Sequence, residues 1–72
     1  MAIYTVRFHE EFQPDGSNFY VAGAQLEFND WLDEETSEYT AIVDKWAEAA
    51  FEQYCNTRSD VIAWERKEPA NA

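Results

Sequence analysis

An alternating pattern near the start of the chain places the strongest constraint on its fold. In residues 3–12, IYTVRFHEEF, apolar and polar side chains alternate. An extended segment would therefore place two different sets on its two faces, Tyr4, Val6, Phe8 and Phe12 against Thr5, Arg7, His9 and Glu11. A period of two over this length is typical of a half-buried β-strand.

A turn and a second strand are predicted next. Residues 13–18, QPDGSN, put proline, aspartate and glycine where a tight turn needs them. Residues 19–25, FYVAGAQ, return to β-branched and aromatic side chains, so we expect a hairpin with the first strand. Gly23 marks either a bulge or the end of the second strand.

The apolar period changes between residues 39 and 54. In this segment apolar residues recur at spacings of three and four, which predicts one stripe of an amphipathic helix: Tyr39, Val43, Trp46, Ala47, Ala50 and Tyr54. Trp46 therefore falls on a predicted core face. Asp30 is placed to cap a shorter helical turn over residues 31–35.

A last strand completes the predicted fold. Residues 61–67, VIAWERK, alternate again, with Ile62 and Trp64 on one face. We predict an α+β domain of order β-β-α-α-β, a three-stranded antiparallel sheet with helices packed on one face. The third strand pairs beside the first, because a hairpin alone is marginal. The 72 residues are enough for one domain, so we expect a single acidic α+β domain over 1–68 and a flexible C-terminal tail over 69–72.

Motifs of enzymes and metal sites are missing from the sequence. It contains no CxxC, HExxH, GxSxG or glycine-rich phosphate loop. His9 lies on the polar face of a predicted strand, where a solvated role is expected. Starting an EF-hand loop at Asn29 or Asp30 puts tryptophan or leucine at a ligand position. An acid pair of the glycosidase type is not excluded by residue type, but so small a fold has little room for a concave site. We predict no enzymatic activity, no cofactor and no metal.

The cysteine count and hydropathy bear on the compartment. Cys55 is the single cysteine, which rules out an internal disulfide and favours a reducing cytosol. Near a predicted helix end, we expect this residue to act as a small buried hydrophobe. No segment has the apolar run of a secretory signal or a membrane span. The prediction is a cytoplasmic protein.

Acidic residues outnumber basic ones fifteen to five, for a formal net charge of −10. This charge opposes binding to nucleic acid or anionic membranes and favours basic partners. Solubility alone is the other explanation. The densest cluster is residues 29–38, NDWLDEETSE, with five carboxylates and no cation. Part of it has a local explanation, since Asp33, Glu34 and Glu38 would lie in the first turns of helices, where acids are favourable.

The acids of the predicted long helix lack such an explanation. Asp44, Glu48 and Glu52 are four residues apart on the face opposite the apolar stripe. Like charges at this spacing cost about 0.2–0.5 kcal/mol per pair, and Lys45 offers one partial compensation. Four helical residues rise about 6 Å, so the row would carry one charge per about 6 Å, compared with one phosphate per about 3.4 Å along a DNA strand. The two linear charge densities agree within about a factor of two. The cost of this row favours a basic partner.

A family resemblance points the same way. Residues 19–39, FYVAGAQLEFNDWLDEETSEY, followed by an amphipathic helix and a last strand with tryptophan, resemble the small acidic type I anti-CRISPR proteins of phages and mobile elements. Members of that group imitate DNA at the PAM-recognition site of the Cascade large subunit. The similarity rests on FYV, Q, F-x-D and EE, with one extra residue between FYV and F-x-D. It implies the order β-β-α-α-β, with Asp30, Glu34 and Glu35 matching the acidic segment of the family.

The predicted function is a non-enzymatic inhibitor that acts as an acidic DNA mimic and blocks DNA recognition by a type I CRISPR-Cas surveillance complex. The alternative is an acidic interaction module, antitoxin-like or a phage assembly protein, that binds another basic partner. No direct binding to nucleic acid or membrane is expected. Trp31 is either a core anchor or an interface hot spot. The candidate partner-binding residues are Glu27, Asp30, Trp31, Asp33, Glu34, Glu35, Glu38, Asp44, Glu48 and Glu52.

Overall fold

The computed structural model of the chain describes residues 1–9 and 18–67. Within these ranges the chain forms five strands, one 3-10 helix and one α-helix. In chain order they are β1 (Ala2–His9), β2 (Phe19–Val21), β3 (Ala24–Trp31), β4 (Thr36–Val43), the 3-10 helix (Lys45–Ala47), α1 (Glu48–Thr57) and β5 (Val61–Arg66). The tail expected over 69–72 lies outside the described residues.

The predicted three-stranded sheet with two helices in the order β-β-α-α-β is wrong. The described strands form one five-stranded antiparallel sheet in the order β2-β3-β4-β1-β5. The error arises at β4, which was expected to begin the long helix. Tyr39 and Val43 are four residues apart, a spacing that returns a side chain to the same face in a strand as well as in a helix. Because β4 pairs with β3 on one side and β1 on the other, its backbone hydrogen bonds are satisfied as a central strand.

Strand pairing also differs from the predicted hairpin. β1 pairs with β4 and β5, while β2 pairs with β3. A hairpin between the first two strands is therefore wrong, and most of its predicted turn lies in residues 10–17, which the structure does not describe. The prediction that the last strand pairs beside the first is confirmed, with Val6 opposite Trp64.

A tight turn at Ala22 and Gly23 joins β2 to β3. Both residues have positive φ, 36° and 87°, as the two central positions of a type I′ hairpin turn require. Gly23 therefore marks the end of the second strand, one of its two predicted roles, but the strand predicted over residues 19–25 is in fact β2, this turn and the start of β3. A Cβ atom on Gly23 would lie 2.7 Å from Cβ of Ala47 and 2.9 Å from Cζ2 of Trp46. The 3-10 helix can pack this closely on the turn because residue 23 has no side chain.

The 3-10 helix and α1 cover one face of the sheet, and the core lies between the sheet and these two helices. The ring of Phe51 in α1 packs against that of Tyr4, with centroids 5.1 Å apart. Tyr39 on the central strand is surrounded edge-on by three phenylalanines, with centroid distances of 5.3 to 5.5 Å. Among the described residues, the largest fully buried side chains are Tyr4, Tyr39, Phe8, Phe51, Leu26, Val6, Val43 and Ser37. No helix in the described ranges is long and apolar enough to cross a membrane.

Trp46, predicted to lie in the core, is 76% exposed. The prediction failed because residues 39–54 do not form one helix. Trp46 lies in the short 3-10 helix that follows β4, so its side chain does not point into the core as those of the buried α1 residues do. Its indole instead borders the β2–β3 turn at Gly23.

The predicted core face of β5 is half correct. Trp64 packs against Tyr4, with ring centroids 5.8 Å apart. Ile62 is 51% exposed, because the register of β5 against β1 shifts between Arg7 and Phe8. The shift leaves Ile62 as the extra residue of a bulge, which interrupts the alternation of faces.

Candidate functional site

The acidic stretch forms the end of the β3–β4 hairpin. β3 ends at Trp31 and β4 begins at Thr36, so four residues connect them. The backbone N–H of Leu32 donates to the carbonyl oxygen of Thr36 at 2.8 Å. The helical turn predicted over residues 31–35 is therefore wrong.

Two aspartate side chains bond to the backbone at this end of the hairpin, one within the connection and one at the end of β3. Oδ1 of Asp33 accepts a hydrogen bond from the backbone N–H of Glu35 at 2.7 Å. Oδ1 of Asp30 accepts one from the backbone N–H of Trp31 at 2.8 Å, in place of the helix cap predicted for it. Short polar side chains that bond to nearby backbone in this way are common in turns. The carboxylates thus stay exposed on an ordered connection.

We define the acidic tip as Asp30, Asp33, Glu34 and Glu35, all four of which are exposed. The last three line an open hollow of about 430 Å³ together with His9 and Thr36. Nε2 of His9 lies 3.7 Å from Oε1 of Glu35. Over the described residues, no lysine or arginine forms a salt bridge with the tip. Its negative charge is therefore available to a partner.

Two apolar side chains accompany these carboxylates. Trp31 is 38% exposed and Leu32 is 46% exposed. The Trp31 ring packs edge-on against Phe28, with centroids 6.0 Å apart. Trp31 is consequently held by the core on one side and open to solvent on the other. Both predicted roles, core anchor and interface residue, are compatible with this position.

Glu27, also predicted to bind a partner, lies away from the tip on β3, whereas the other such glutamate, Glu38 on β4, is paired opposite the tip residue Asp30. Oε2 of Glu27 accepts a hydrogen bond from Nε2 of Gln25 at 2.9 Å. Oε2 of Glu38 lies 3.8 Å from Nε of Arg7. Both glutamates are partly buried and have polar neighbours, so they are less available than the tip.

The predicted row of Asp44, Glu48 and Glu52 on one helix is wrong. Asp44 is in extended backbone before the 3-10 helix, with φ −62° and ψ 149°. Only Glu48 and Glu52 lie on α1, and they share one cation. Nη2 of Arg66 lies 3.0 Å from Oε1 of Glu48, and Nη1 lies 3.3 Å from Oε2 of Glu52. The single guanidinium offsets one of their two negative charges inside the fold, which removes the argument from an uncompensated row of three.

Sequence reasoning missed two groups in this cluster, Arg66 and the Tyr4 hydroxyl. Oη of Tyr4 donates to Oε2 of Glu52 at 2.6 Å and accepts from Nη1 of Arg66 at 3.3 Å. Arg66 is 18 residues from Glu48 and 14 from Glu52 along the chain. No helical spacing connects residues this far apart. The signal that could have pointed to them is the pairing of the last strand beside the first.

Two buried side chains, Cys55 and Tyr4, have raised pKa values. Burial raises the pKa of the Cys55 thiol to about 12, so it is protonated and unreactive at neutral pH. Burial, followed by the hydrogen bond to Glu52, raises the pKa of Tyr4 to about 12. In residues 1–9 and 18–67, no group of three or more His, Cys, Asp or Glu side chains could hold a metal ion. The chemistry that the tip offers is charge-assisted binding of lysine and arginine.

Comparisons of the chain with protein families, curated proteins and solved structures found no match. The resemblance to small acidic anti-CRISPR proteins therefore stays a prediction.

Proposed function

We propose that this protein is a non-enzymatic inhibitor that presents the acidic tip to the phosphate-binding surface of a nucleic-acid-binding protein. The observation that supports this is the set of four exposed carboxylates at one hairpin end, with no lysine or arginine of the described residues bridged to them. Lysine and arginine side chains that neutralise phosphates bind carboxylates through the same charge-assisted hydrogen bonds. A basic groove would thus accept the tip in place of a DNA strand.

The proposed target is the large subunit of a type I CRISPR surveillance complex, reached in the cytoplasm of the host cell. This choice rests on the resemblance alone. The order β-β-α-α-β that the resemblance implied is not the fold of this chain. Its three matched acids, Asp30, Glu34 and Glu35, nevertheless all belong to the acidic tip. Shared tip residues, rather than shared topology, support the target.

A competition experiment tests the proposal. The surveillance complex is loaded with labelled target DNA, and the protein is added to displace it. Glu34→Lys with Glu35→Lys should weaken displacement by about tenfold or more, as removal of central interface groups does. The matched control is Glu27→Lys with Glu65→Lys, two acids at the ends of one cross-strand row of the open sheet face, with Thr40 and Thr5 between them. Each reversal adds two charge units, so both pairs change the formal net charge from −10 to −6.

The two variants have the same net charge, so their comparison shows whether inhibition depends on the carboxylates of the acidic tip or on the overall charge of the protein. If the tip drives inhibition, the control retains displacement within about threefold while the tip variant loses it. Equal losses in both variants would refute the proposal, because net charge alone would then explain inhibition. Circular dichroism establishes that each variant keeps its sheet.

Salt dependence provides a second measurement. Exposed carboxylates that meet lysine and arginine are screened over about 8–10 Å at physiological ionic strength. Affinity for the target should therefore fall steeply as sodium chloride rises. An affinity independent of salt would show that the tip carboxylates do not drive binding.

The second candidate function is an acidic interaction module that binds a basic protein away from its DNA site. The observation that favours it is the exposure of Trp31 and Leu32 beside the tip, since a DNA backbone offers no such apolar groups. Aromatic residues of this kind are common interface anchors. A stable complex that still binds DNA would support this function and refute the DNA mimic.

A further inference from the structure

The single histidine of the chain borders the acidic tip. His9 ends β1 and pairs with Thr36, the first residue of β4 after the connection that carries the tip. Its side chain is 38% exposed and lines the same hollow as Asp33, Glu34 and Glu35. The pairing of β1 with β4 therefore places an imidazole ring beside three of the four tip carboxylates.

Glu35 has a measured contact with this ring. Nε2 of His9 lies 3.7 Å from Oε1 of Glu35, within the distance of an ion pair when the ring carries a proton. The backbone of His9 is held on both sides, by its pairing with Thr36 and by the hydrogen bond from its N–H to the carbonyl oxygen of Asp60 at 2.9 Å. The position from which the ring reaches the tip is thus set by the sheet.

The other charged groups near His9 in the described residues have partners of their own. On the same face of β1, Nε of Arg7 lies 3.8 Å from Oε2 of Glu38 on β4. On the side of β5, the buried carboxylate of Asp60 accepts two hydrogen bonds from Arg58, at 3.0 and 3.1 Å. A proton on the His9 ring would therefore act mainly on the carboxylates of the hollow.

We propose that His9 makes the acidic tip sensitive to pH: the protonated ring pairs with Glu35 and masks its charge, and the neutral ring leaves that charge to a basic partner. Histidine is the side chain that ordinarily changes its charge between pH 5 and 8. Each ring proton sets one positive charge against the tip, so binding to a surface of lysine and arginine weakens as pH falls. This inference concerns regulation of the acidic tip and rests on the proposed function.

DNA displacement from the surveillance complex at about pH 8 and about pH 5.5 tests this regulation, with His9→Gln measured in parallel. Glutamine is polar and takes up no proton, so the ratio of the two proteins removes the pH response of the target, of the DNA and of every other group of this protein. The two should displace DNA equally at the higher pH. At the lower pH the wild type should be weaker by about fivefold, the effect of one pair of charges about 4 Å apart in water.

A fixed positive charge should reproduce the acidic state at high pH. His9→Lys should weaken displacement by about fivefold already at about pH 8, because its charge is present at both pH values. Ala49→Lys is the matched control, since it adds the same charge at an exposed position in the first turn of α1, which follows the end of β4 opposite the tip. It should change displacement by less than about twofold, and an equal loss in both lysine variants would overturn the local effect. Circular dichroism establishes that each variant keeps its sheet.

A measurement without the target separates this inference from the proposed function. An amidated octa-arginine peptide, whose charge is constant over this pH range, is titrated into the wild type and into His9→Gln at both pH values. The wild type should bind the peptide more weakly than His9→Gln at about pH 5.5, by about twofold to fivefold, and equally at about pH 8. Equal binding at the lower pH would overturn regulation by His9. The expected peptide result without DNA displacement at either pH would instead refute the proposed function and leave the masking of the tip by His9 supported.

Discussion

Replacement of Arg66 by methionine should destabilise the fold although Arg66 lies on an edge strand. The guanidinium bridges Glu48 at 3.0 Å and Glu52 at 3.3 Å, and lies 5.6 Å from the ring centre of Tyr4. The Arg66 side chain is 38% exposed, so each ion pair is valued as a solvent-screened one, about 0.2–1 kcal/mol. The cation–π contact contributes about 0.5–1 kcal/mol.

The substitution also leaves two glutamates four residues apart on α1 without a cation. This like-charge pair costs a further amount of about 0.2–0.5 kcal/mol. We therefore expect Arg66→Met to lower the free energy of unfolding by about 1–3 kcal/mol. A domain of this size loses about 4–8 °C of melting temperature per kcal/mol, so the melting temperature should fall by about 4 °C or more.

Urea denaturation followed by circular dichroism measures this change. Glu48→Gln provides the sign test, because it should destabilise the wild type but stabilise the Arg66→Met variant, where it relieves repulsion with Glu52. Glu34→Gln at the acidic tip is the control and should change stability by less than about 0.5 kcal/mol. A loss below about 0.5 kcal/mol for Arg66→Met would refute the reasoning. Glu48 and Glu52 would then return to the set of acids available to a partner.

Three other predictions test the packing. Gly23→Ala should destabilise by about 1–3 kcal/mol, because φ is +87° and the new Cβ would meet Ala47 at 2.7 Å; an unchanged urea midpoint would contradict it. Burial raises the pKa of Cys55 from 9.0 and that of Tyr4 from 10.0, each to about 12, so folding favours their neutral forms. The contribution of these two groups to the free energy of unfolding is complete below about pH 9 and is lost as pH rises towards about 12. Cys55→Ala should therefore make the urea midpoint less dependent on pH between about 9 and 12. The Cys55 thiol should react with a disulfide reagent only at the rate of local opening, and full reaction within seconds in native buffer would show that it is accessible.

Some of the fold follows directly from local pattern. β1 was predicted because its alternation is uninterrupted, and Ala2, Tyr4, Val6 and Phe8 are all buried. The last strand was predicted from its own alternation, and its place beside the first from the marginal stability of a hairpin alone. The exposure and like charge of the acidic stretch also follow from composition, since carboxylates without partners stay in water.

The secondary structure of residues 36–43 could not be predicted from pattern. Tyr39 and Val43 fit a helix and a strand equally, and the sequence places a helical pattern directly after them. The decision comes from β3 and β1, which satisfy the backbone of β4 on both sides. Once β4 is a strand, residues 32–35 must connect a hairpin, and the predicted helical turn has no place.

The sequence by itself determined that this protein has a strongly acidic, exposed segment beside a core of aromatic residues. Tertiary structure alone decided which acids remain available to a partner. Glu48 and Glu52 meet an arginine 18 and 14 residues away, while Glu34 at the acidic tip meets no lysine or arginine of the described residues. The physical reason is distance along the chain. Local spacing reports which residues share a face, but compensation of charge depends on which strands pair, and pairing is set by contacts between distant segments.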